Sequence, residues 1–489
     1  MLDRFFRLRE NGTSVRTEVM AGLTTFFAMA YIVFVNPNQV AANGSGGWLA
    51  ALGADAGALG QIWNSVFVAS VLGAVIGTLM YAFVARLPFA QACGMGLNAF
   101  FCTCFVSGAY FAGVDVIDGY QAGMVIIFIS GILFLLLSVT GLRTLIAKSM
   151  PDCLKKAIPA GIGLFIAFIG FQNVGLIQPN QYTLVQFYDF HGVIDSIGAD
   201  GVSAFDAWCQ IAPVLVTFLG LLLIAVLYKK KVKGSVMIGI LASAVLYYLF
   251  TLSVPHFDIS GIGQSFRDFG EIGITGLFQA ASWKNAFTGA NIGGIFNALI
   301  LIMTFCLVDM FDTLGTLYGT AAEAGMLDEN GDPIRVEQAM LCDSVATVSG
   351  GVLGTSTVTT FVESASGVAA GGRTGLTSLV TGLCFALCLF LSPVADMIPS
   401  CATAPALIFV GVLMLKNFGR VDMEDIASAV PAFLTLIMMP LTYSIANGIG
   451  IGAIAYTLIT LFTGKYRKRD LIVTVISILF ILKFVFVTM

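Results

Sequence analysis

Apolar runs of about the length that crosses a bilayer recur from one end of this chain to the other, and that repetition restricts its fold more than any other feature. They lie near residues 19–36, 62–85, 89–107, 121–141, 158–177, 210–228 and 235–254. After a longer polar stretch they resume near 291–319, 338–354, 355–371, 374–392, 400–416, 430–446, 448–463 and 471–488. A charge-poor run of roughly 20 residues reads as a transmembrane helix. Of the 489 residues, 58% are hydrophobic and 11% charged, against roughly 25% charged in a soluble domain. Such a chain has too little polar surface to cover itself in water, so the lipid bilayer is its solvent. The expected fold class is an all-α polytopic membrane protein. Arg4, Arg7, Arg9 and Arg16 precede a first run long enough to span, with no small-residue cleavage site after it, which argues against a cleavable signal peptide.

Charge bias orients the runs. With the N-terminus in the cytoplasm and the runs alternating, 21 of the 24 Lys and Arg residues fall on the cytoplasmic side. Only Arg267 and Lys284 fall opposite, and Lys483 lies inside the last run. This asymmetry supports fourteen spans through residue 463 in the inner (plasma) membrane. Fourteen divides into two sets of seven, and an odd number per set places the halves in opposite orientations, the inverted-repeat plan of many secondary transporters. The expected organisation is a cytoplasmic N-terminus over 1–18, a first seven-span repeat over 19–254 and an extracytoplasmic connector over 255–290. A second repeat over 291–463 and a basic C-terminal segment over 464–489 complete it. The run 471–488 reads either as a fifteenth span or as an in-plane cytoplasmic helix with Lys483 at its edge.

The third and tenth runs are poor continuous helices. Leu87–Phe105 reads LPFAQACGMGLNAFFCTCF, and Gly351–Gly372 reads GVLGTSTVTTFVESASGVAAGG. They hold matching positions in the two halves, with Asn98 and Glu363 265 residues apart. Paired discontinuous segments point to a binding site near the bilayer midplane. The β-favouring stretch Thr357–Phe361 predicts a short extended piece followed by a half-helix. Irregular backbone at that depth must be buried in protein or line a wet cavity, and half-helix N-termini offer free N–H groups to a solute. Close helix packing at glycine is the structural alternative.

Three acids fall well inside apolar runs: Asp309, Asp312 and Glu363. An acid at the bilayer centre costs roughly 2.5–3.5 kcal/mol on insertion scales, and no Lys or Arg shares those runs. Intramembrane carboxylates are the usual proton relays. Asp309, Asp312, Thr313 and Thr316 are spaced to share one helix face. A carboxyl group accepts hydrogen bonds when ionised and also donates when protonated, which suits a heterocycle carrying adjacent N–H and acceptor groups. Phe361, Phe100 and Phe101 are candidates to stack on a planar ring, and Ser364 follows the Glu363 carboxylate. Packing is the alternative for each Phe, and an interhelical hydrogen bond for each acid. The two histidines, His191 and His256, fall in predicted external loops, which leaves proton coupling to Asp309, Glu363 and Asp312.

The ten cysteines form no C-x-x-C pair and read as small apolar residues; Cys384 and Cys388 share a helix face. No metal-spaced His/Cys set, phosphate loop or nucleophile–base pair argues for an enzyme. The expectation is no catalytic residue, no metal, no cofactor and no nucleic-acid partner.

Four segments carry a specific resemblance: VRTEVMAGLTTFFAMAYIVFVNP (Val15–Pro37), CGMGLNAFF (Cys93–Phe101), VDMFDTLGTL (Val308–Leu317) and ESASGVAAGGRTGLTSLVTG (Glu363–Gly382). In this order they resemble the adenine–guanine–hypoxanthine permeases, the AzgA-like branch of the nucleobase–cation symporter 2 family, over residues 3 to 463 or beyond. The resemblance implies a core of spans 1–4 and 8–11 moving against a gate of spans 5–7 and 12–14, with short strands in spans 3 and 10. It implies substrate contacts at Asp309 and Glu363, with Asn98 and Phe361 at further positions of the family pattern. It also suggests a homodimer. Thr313 stands where related uracil carriers have a histidine, a departure that fits the purine branch. The expected function is import of purine nucleobases by proton symport with alternating access; Na⁺ remains open as coupling ion. An anion or other small-solute carrier of the same fold, or a uracil/xanthine permease, is the alternative.

Overall fold

The computed structural model describes residues 2–141, 150–180, 182–198, 202–232, 234–255, 260–290, 293–324, 326–327, 333–416 and 418–486. Eight helices among them are long and apolar enough to cross a membrane, and five shorter apolar helices accompany them. The first seven spans are Val15–Val40, Ala56–Ala85, Met95–Phe111, Val116–Val139, Asp152–Asn173, Ala204–Lys229 and Ser235–Thr251. The next four comprise Ile295–Ala324, Val336–Leu353, a broken tenth segment and Gly375–Leu387. The last three are Ser400–Leu415, Ile426–Leu441 and Ile445–Phe462.

Local chemistry sets many of the span ends. The side chains of Ser14, Asp55, Asp115, Ser203, Thr374, Asp425 and Ser444 each accept a backbone N–H at the start of the helix that follows, satisfying donors a helix cannot satisfy itself. Val336–Leu353 stops at Gly354, whose φ of 92° suits only glycine, and whose added Cβ would meet the Tyr120 hydroxyl at 2.6 Å.

Four short strands occur among the described residues: β1 (Gln91–Cys93), β2 (Ile177–Asn180), β3 (Leu184–Phe187) and β4 (Val358–Thr360). β2 and β3 form a hairpin between spans 5 and 6. β1 and β4 belong to the third and tenth segments and pair antiparallel, with Gln91 opposite Thr360 and Cys93 opposite Val358. Each precedes a half-helix, Met95–Phe101 and Ser364–Ala369. The extended piece expected at Thr357–Phe361 and the two broken spans are therefore present. Their backbone groups pair with each other along one edge, and on the other edges Gln91 N–H and C=O meet Thr78 Oγ1 and Val358 C=O accepts from Thr347 Oγ1, which is what apolar surroundings require.

The spans sort into two bodies. Spans 5, 6, 7, 12, 13 and 14 pack mainly among themselves, and spans 1, 2, 4, 8, 9 and 11 gather around β1 and β4. This is the core-and-gate arrangement of two inverted seven-span repeats. Close approach within the core depends on small residues. A Cβ on Gly22 would meet the Thr377 carbonyl at 2.6 Å, and one on Gly367 would meet the Ala21 carbonyl at 2.8 Å, so spans 1, 10 and 11 touch backbone to backbone.

The last apolar run forms the helix Leu471–Phe486. The Tyr456 hydroxyl donates to Asp470 at 3.3 Å, the Thr457 and Ser477 hydroxyls meet at 2.9 Å, and Lys483 Nζ donates to Asn447 Oδ1 at 3.1 Å. From Ser477 to Lys483 the partners run backward along span 14, from Thr457 to Asn447. The segment therefore lies antiparallel to span 14 along its length, with Lys483 buried. All ten cysteines are free thiols. His191 sits on the short helix Phe190–Asp195 between spans 5 and 6, with its Nε2 3.4 Å from Asp195; His256 lies outside the described residues.

Candidate functional site

The β1–β4 crossing brings the two halves together, and the side chains around it form three groups. The first lines a cavity of about 290 Å³ between the two bodies. Its core wall is Gly94–Gly96 from the third segment, Asp312 and Thr316 from span 8, and Thr359–Glu363 from the tenth. Its gate wall is Pro159, Ile162 and Ile166 from span 5 with Val410, Leu413 and Met414 from span 12. Exposed Lys416 and Arg420 stand at its edge. Apart from Tyr228 of span 6 the gate side is thus apolar, and the core side bears hydroxyl and carboxyl groups, a common composition for sites that bind small organic molecules. The N-terminus of the Met95–Phe101 half-helix opens toward it.

Glu363 and Asp312, both half-buried, are the two acids of this cavity. Glu363 Oε1 accepts a hydrogen bond from the Tyr31 hydroxyl at 2.7 Å. Phe361 lines the same wall.

The second group lies behind that wall and is fully buried. Asp343 on span 9 accepts from Gln91 Nε2 at 2.7 Å, from Thr360 Oγ1 at 3.3 Å and from the Thr313 hydroxyl. Thr313 also meets Thr359 at 2.6 Å. Asp309 accepts from Thr347 Oγ1 at 2.5 Å. Threonines of β4 therefore stand between the cavity and two buried acids. Among the described residues, no Lys or Arg forms an ion pair with any of these four carboxyl groups. The surrounding hydroxyls can donate to either protonation state of a carboxyl group or accept from the protonated one.

The third group occupies the opposite flank of the strand pair and contains no acid. Asn36 Nδ2 donates to Ser70 and, at 3.1 Å, to Thr355. Ser356 donates to Asn98 Oδ1, and Asn98 Nδ2 donates to Gln39 at 3.4 Å.

The structure thus separates the residues singled out in the sequence. Glu363, Asp312, Phe361 and Thr316 line the cavity. Asp309 and Thr313 stand behind it. Asn98 belongs to the amide group on the far flank. Ser364 accepts the Ala90 N–H at 3.0 Å and tethers the two broken segments. Phe100 packs against Phe305 with centroids 5.0 Å apart, and Phe101 against Phe105 at 4.9 Å, both buried.

Sequence reading missed Asp343, Gln91 and Tyr31. Asp343 is an acid in an apolar run like the other three, but close to the charged residues Arg335 and Glu337 it passes for the end of a span. It also missed Glu18 as a buried acid: its carboxylate accepts the N–H groups of Arg373, Thr374 and Thr377 at 2.9–3.3 Å and the hydroxyls of Thr374 and Thr377 at 2.8 and 2.7 Å. Glu18 serves the start of span 11 and lies away from the cavity.

Fold and cavity together define a multi-pass membrane protein of the transporter type, with a solute-sized space between two helical bodies. The chain belongs to the Permease family (Xan_ur_permease), whose model matches residues 16–451, and within it to the branch its four motifs resemble. It is 41% identical over 485 residues to the guanine/hypoxanthine permease PbuG of Bacillus subtilis (strain 168), covering 99% of both chains. It is 38% identical over 490 residues to the adenine permease AdeP of Escherichia coli (strain K12), covering 100% of this chain and 96% of that one. In three dimensions it is similar to the transmembrane domain of the cyanobacterial bicarbonate transporter BicA, with TM-score 0.57 and 14% identity over 88% of this chain and 97% of that one. At that identity the likeness shows the fold, two inverted seven-span repeats.

Proposed function

We propose that this protein carries purine nucleobases (adenine, guanine or hypoxanthine) across the inner membrane by proton symport with alternating access, its N-terminus in the cytoplasm. Full-length similarity to permeases named for these bases supports the substrate class. The observation that carries the mechanism is the arrangement of Glu363 and Asp312 in the cavity, with Asp309 and Asp343 behind its threonine wall.

In this reading Glu363 accepts the N–H edge of the base, and Phe361 and the half-helix at Met95 bound the plane in which it lies. Asp312 offers a second acceptor or, protonated, a donor. The coupling proton resides on the buried pair Asp309 and Asp343, reached through Thr313 and Thr359. Loading a proton there removes buried charge, and the loaded and empty forms then differ in which arrangement of the two bodies they favour. Lys416 and Arg420 lie on the side that the positive-inside rule makes cytoplasmic, so this cavity is the inward-facing one.

The bicarbonate transporter's likeness raises the anion reading again. An anion would meet two carboxyl groups in the depth of this cavity, with the cations only at its edge, which disfavours it electrostatically.

Uptake of radiolabelled adenine, guanine, hypoxanthine and uracil in cells lacking their own permeases tests the proposal. Purine uptake is expected, lost with a protonophore and reduced roughly 10- to 100-fold by Glu363→Gln, the scale of one charge-assisted hydrogen bond. Uracil-only or absent uptake from a properly inserted protein would overturn the substrate assignment.

A further inference from the structure

Span 1 is a single apolar helix by composition, yet its hydrogen bonding slips between Val15–Met29 and Ile32–Val40. Val33 and Phe34 bond three residues back, to Ala30 and Tyr31. The irregularity sits where span 1 passes the tenth segment, and Tyr31 there is wholly buried. Its hydroxyl donates to Glu363 Oε1 at 2.7 Å. Tyr31 is absent from the cavity wall, whereas Glu363 lines it. The phenol therefore reaches the carboxylate from behind, across 332 residues of sequence.

A buried phenol needs a partner, and Glu363 could be merely that partner. Two features argue for more. The Glu363 side chain stands at the start of a half-helix of only six residues, Ser364–Ala369, beside irregular backbone that fixes few rotamers. The Tyr31 hydroxyl is also the one side-chain donor that reaches this carboxylate among the described residues. We propose that Tyr31 is a positioning residue for the transported base: by holding one oxygen of Glu363, it turns the other into the cavity toward the N–H edge of a heterocycle. A carboxylate held in one orientation loses less freedom on binding than a free one. The inference rests on the proposed role of Glu363, and the test separates the two.

Equilibrium binding to purified protein reads this directly, using whichever labelled purine the wild type binds. Tyr31→Phe preserves ring volume and removes only the donor. It is expected to weaken binding roughly 10-fold with the melting temperature little changed. Glu363→Asp withdraws the carboxylate by one methylene, beyond the phenol's reach, so adding Tyr31→Phe to it should weaken binding no further. Wild-type affinity in Tyr31→Phe, or losses that multiply in the double variant, would overturn the positioning role. Wild-type affinity in Glu363→Asp and Glu363→Gln would instead overturn the role of Glu363, and the Tyr31 inference with it.

Discussion

The two flanks of the β1–β4 crossing occupy related places in the two repeats and carry different chemistry. On the first-repeat side, spans 1 and 2 contribute Asn36, Gln39 and Ser70, which bond with Asn98, Thr355 and Ser356. On the second-repeat side, spans 8 and 9 contribute Asp309, Thr313, Asp343 and Thr347, which gather around Thr359 and Thr360. Both groups are buried and hydrogen-bonded. Amides and hydroxyls stay neutral at any physiological pH, whereas a carboxyl group has both a neutral and a charged form. The inverted repeat supplies the same scaffold twice, and among the described residues only one flank of the crossing carries carboxyl groups. In the proposed mechanism the amide flank fixes the crossing and the acid flank senses the proton.

Exchanging the chemistry of the two flanks is the strongest way to break this comparison. Asp343→Asn should reduce uptake roughly 100-fold, since losing a charge-bearing partner in a buried network costs about 3 kcal/mol. It should also flatten the pH dependence of the residual uptake, measured in intact cells. Preserved pH dependence would remove Asp343 from the proton site. A smaller effect is expected from Thr313→Val, which deletes the hydroxyl joining Asp343 to Thr359. Uptake should fall about 10-fold, the scale of one buried hydrogen bond with its partners left unsatisfied, and Thr313→Ser should restore most of it. The smallest belongs to the amide flank. Ser356→Ala removes the donor to Asn98 and should destabilise the protein by about 1 kcal/mol, seen as a lowered melting temperature. The pH profile of its uptake should match the wild type, and a shifted profile would show that both flanks titrate.

Much of this architecture is legible in the sequence because the bilayer imposes it. Span positions follow from apolar length, and the broken third and tenth segments from glycine and β-branched residues clustered where a helix should run. Asp309, Asp312 and Glu363 stand out because an acid well inside an apolar run is costly without a partner or a function. The pairings are not legible. Tyr31 with Glu363 and Gln91 with Asp343 join residues 332 and 252 positions apart, and periodicity carries no information at that range. Asn98 is expected near the substrate from the family resemblance and its broken span, but the sequence does not show that its side chain bonds with Ser356 and Gln39. Which face of a six- or seven-residue half-helix meets the cavity depends on the strand register, and that is set by tertiary contact. The last apolar run was ambiguous for a related reason: composition alone cannot tell a helix lying in the interface from one packed antiparallel to span 14.

The most direct test of the central claim is proton movement itself. Purified protein in liposomes containing a pH-sensitive dye, given a purine outside and a clamped membrane potential, should acidify the lumen as the base enters. The same preparation carrying Asp343→Asn should not. Purine entry into wild-type liposomes without any lumenal acidification would contradict the account, leaving a nucleobase carrier whose buried acids serve only to hold its helices together.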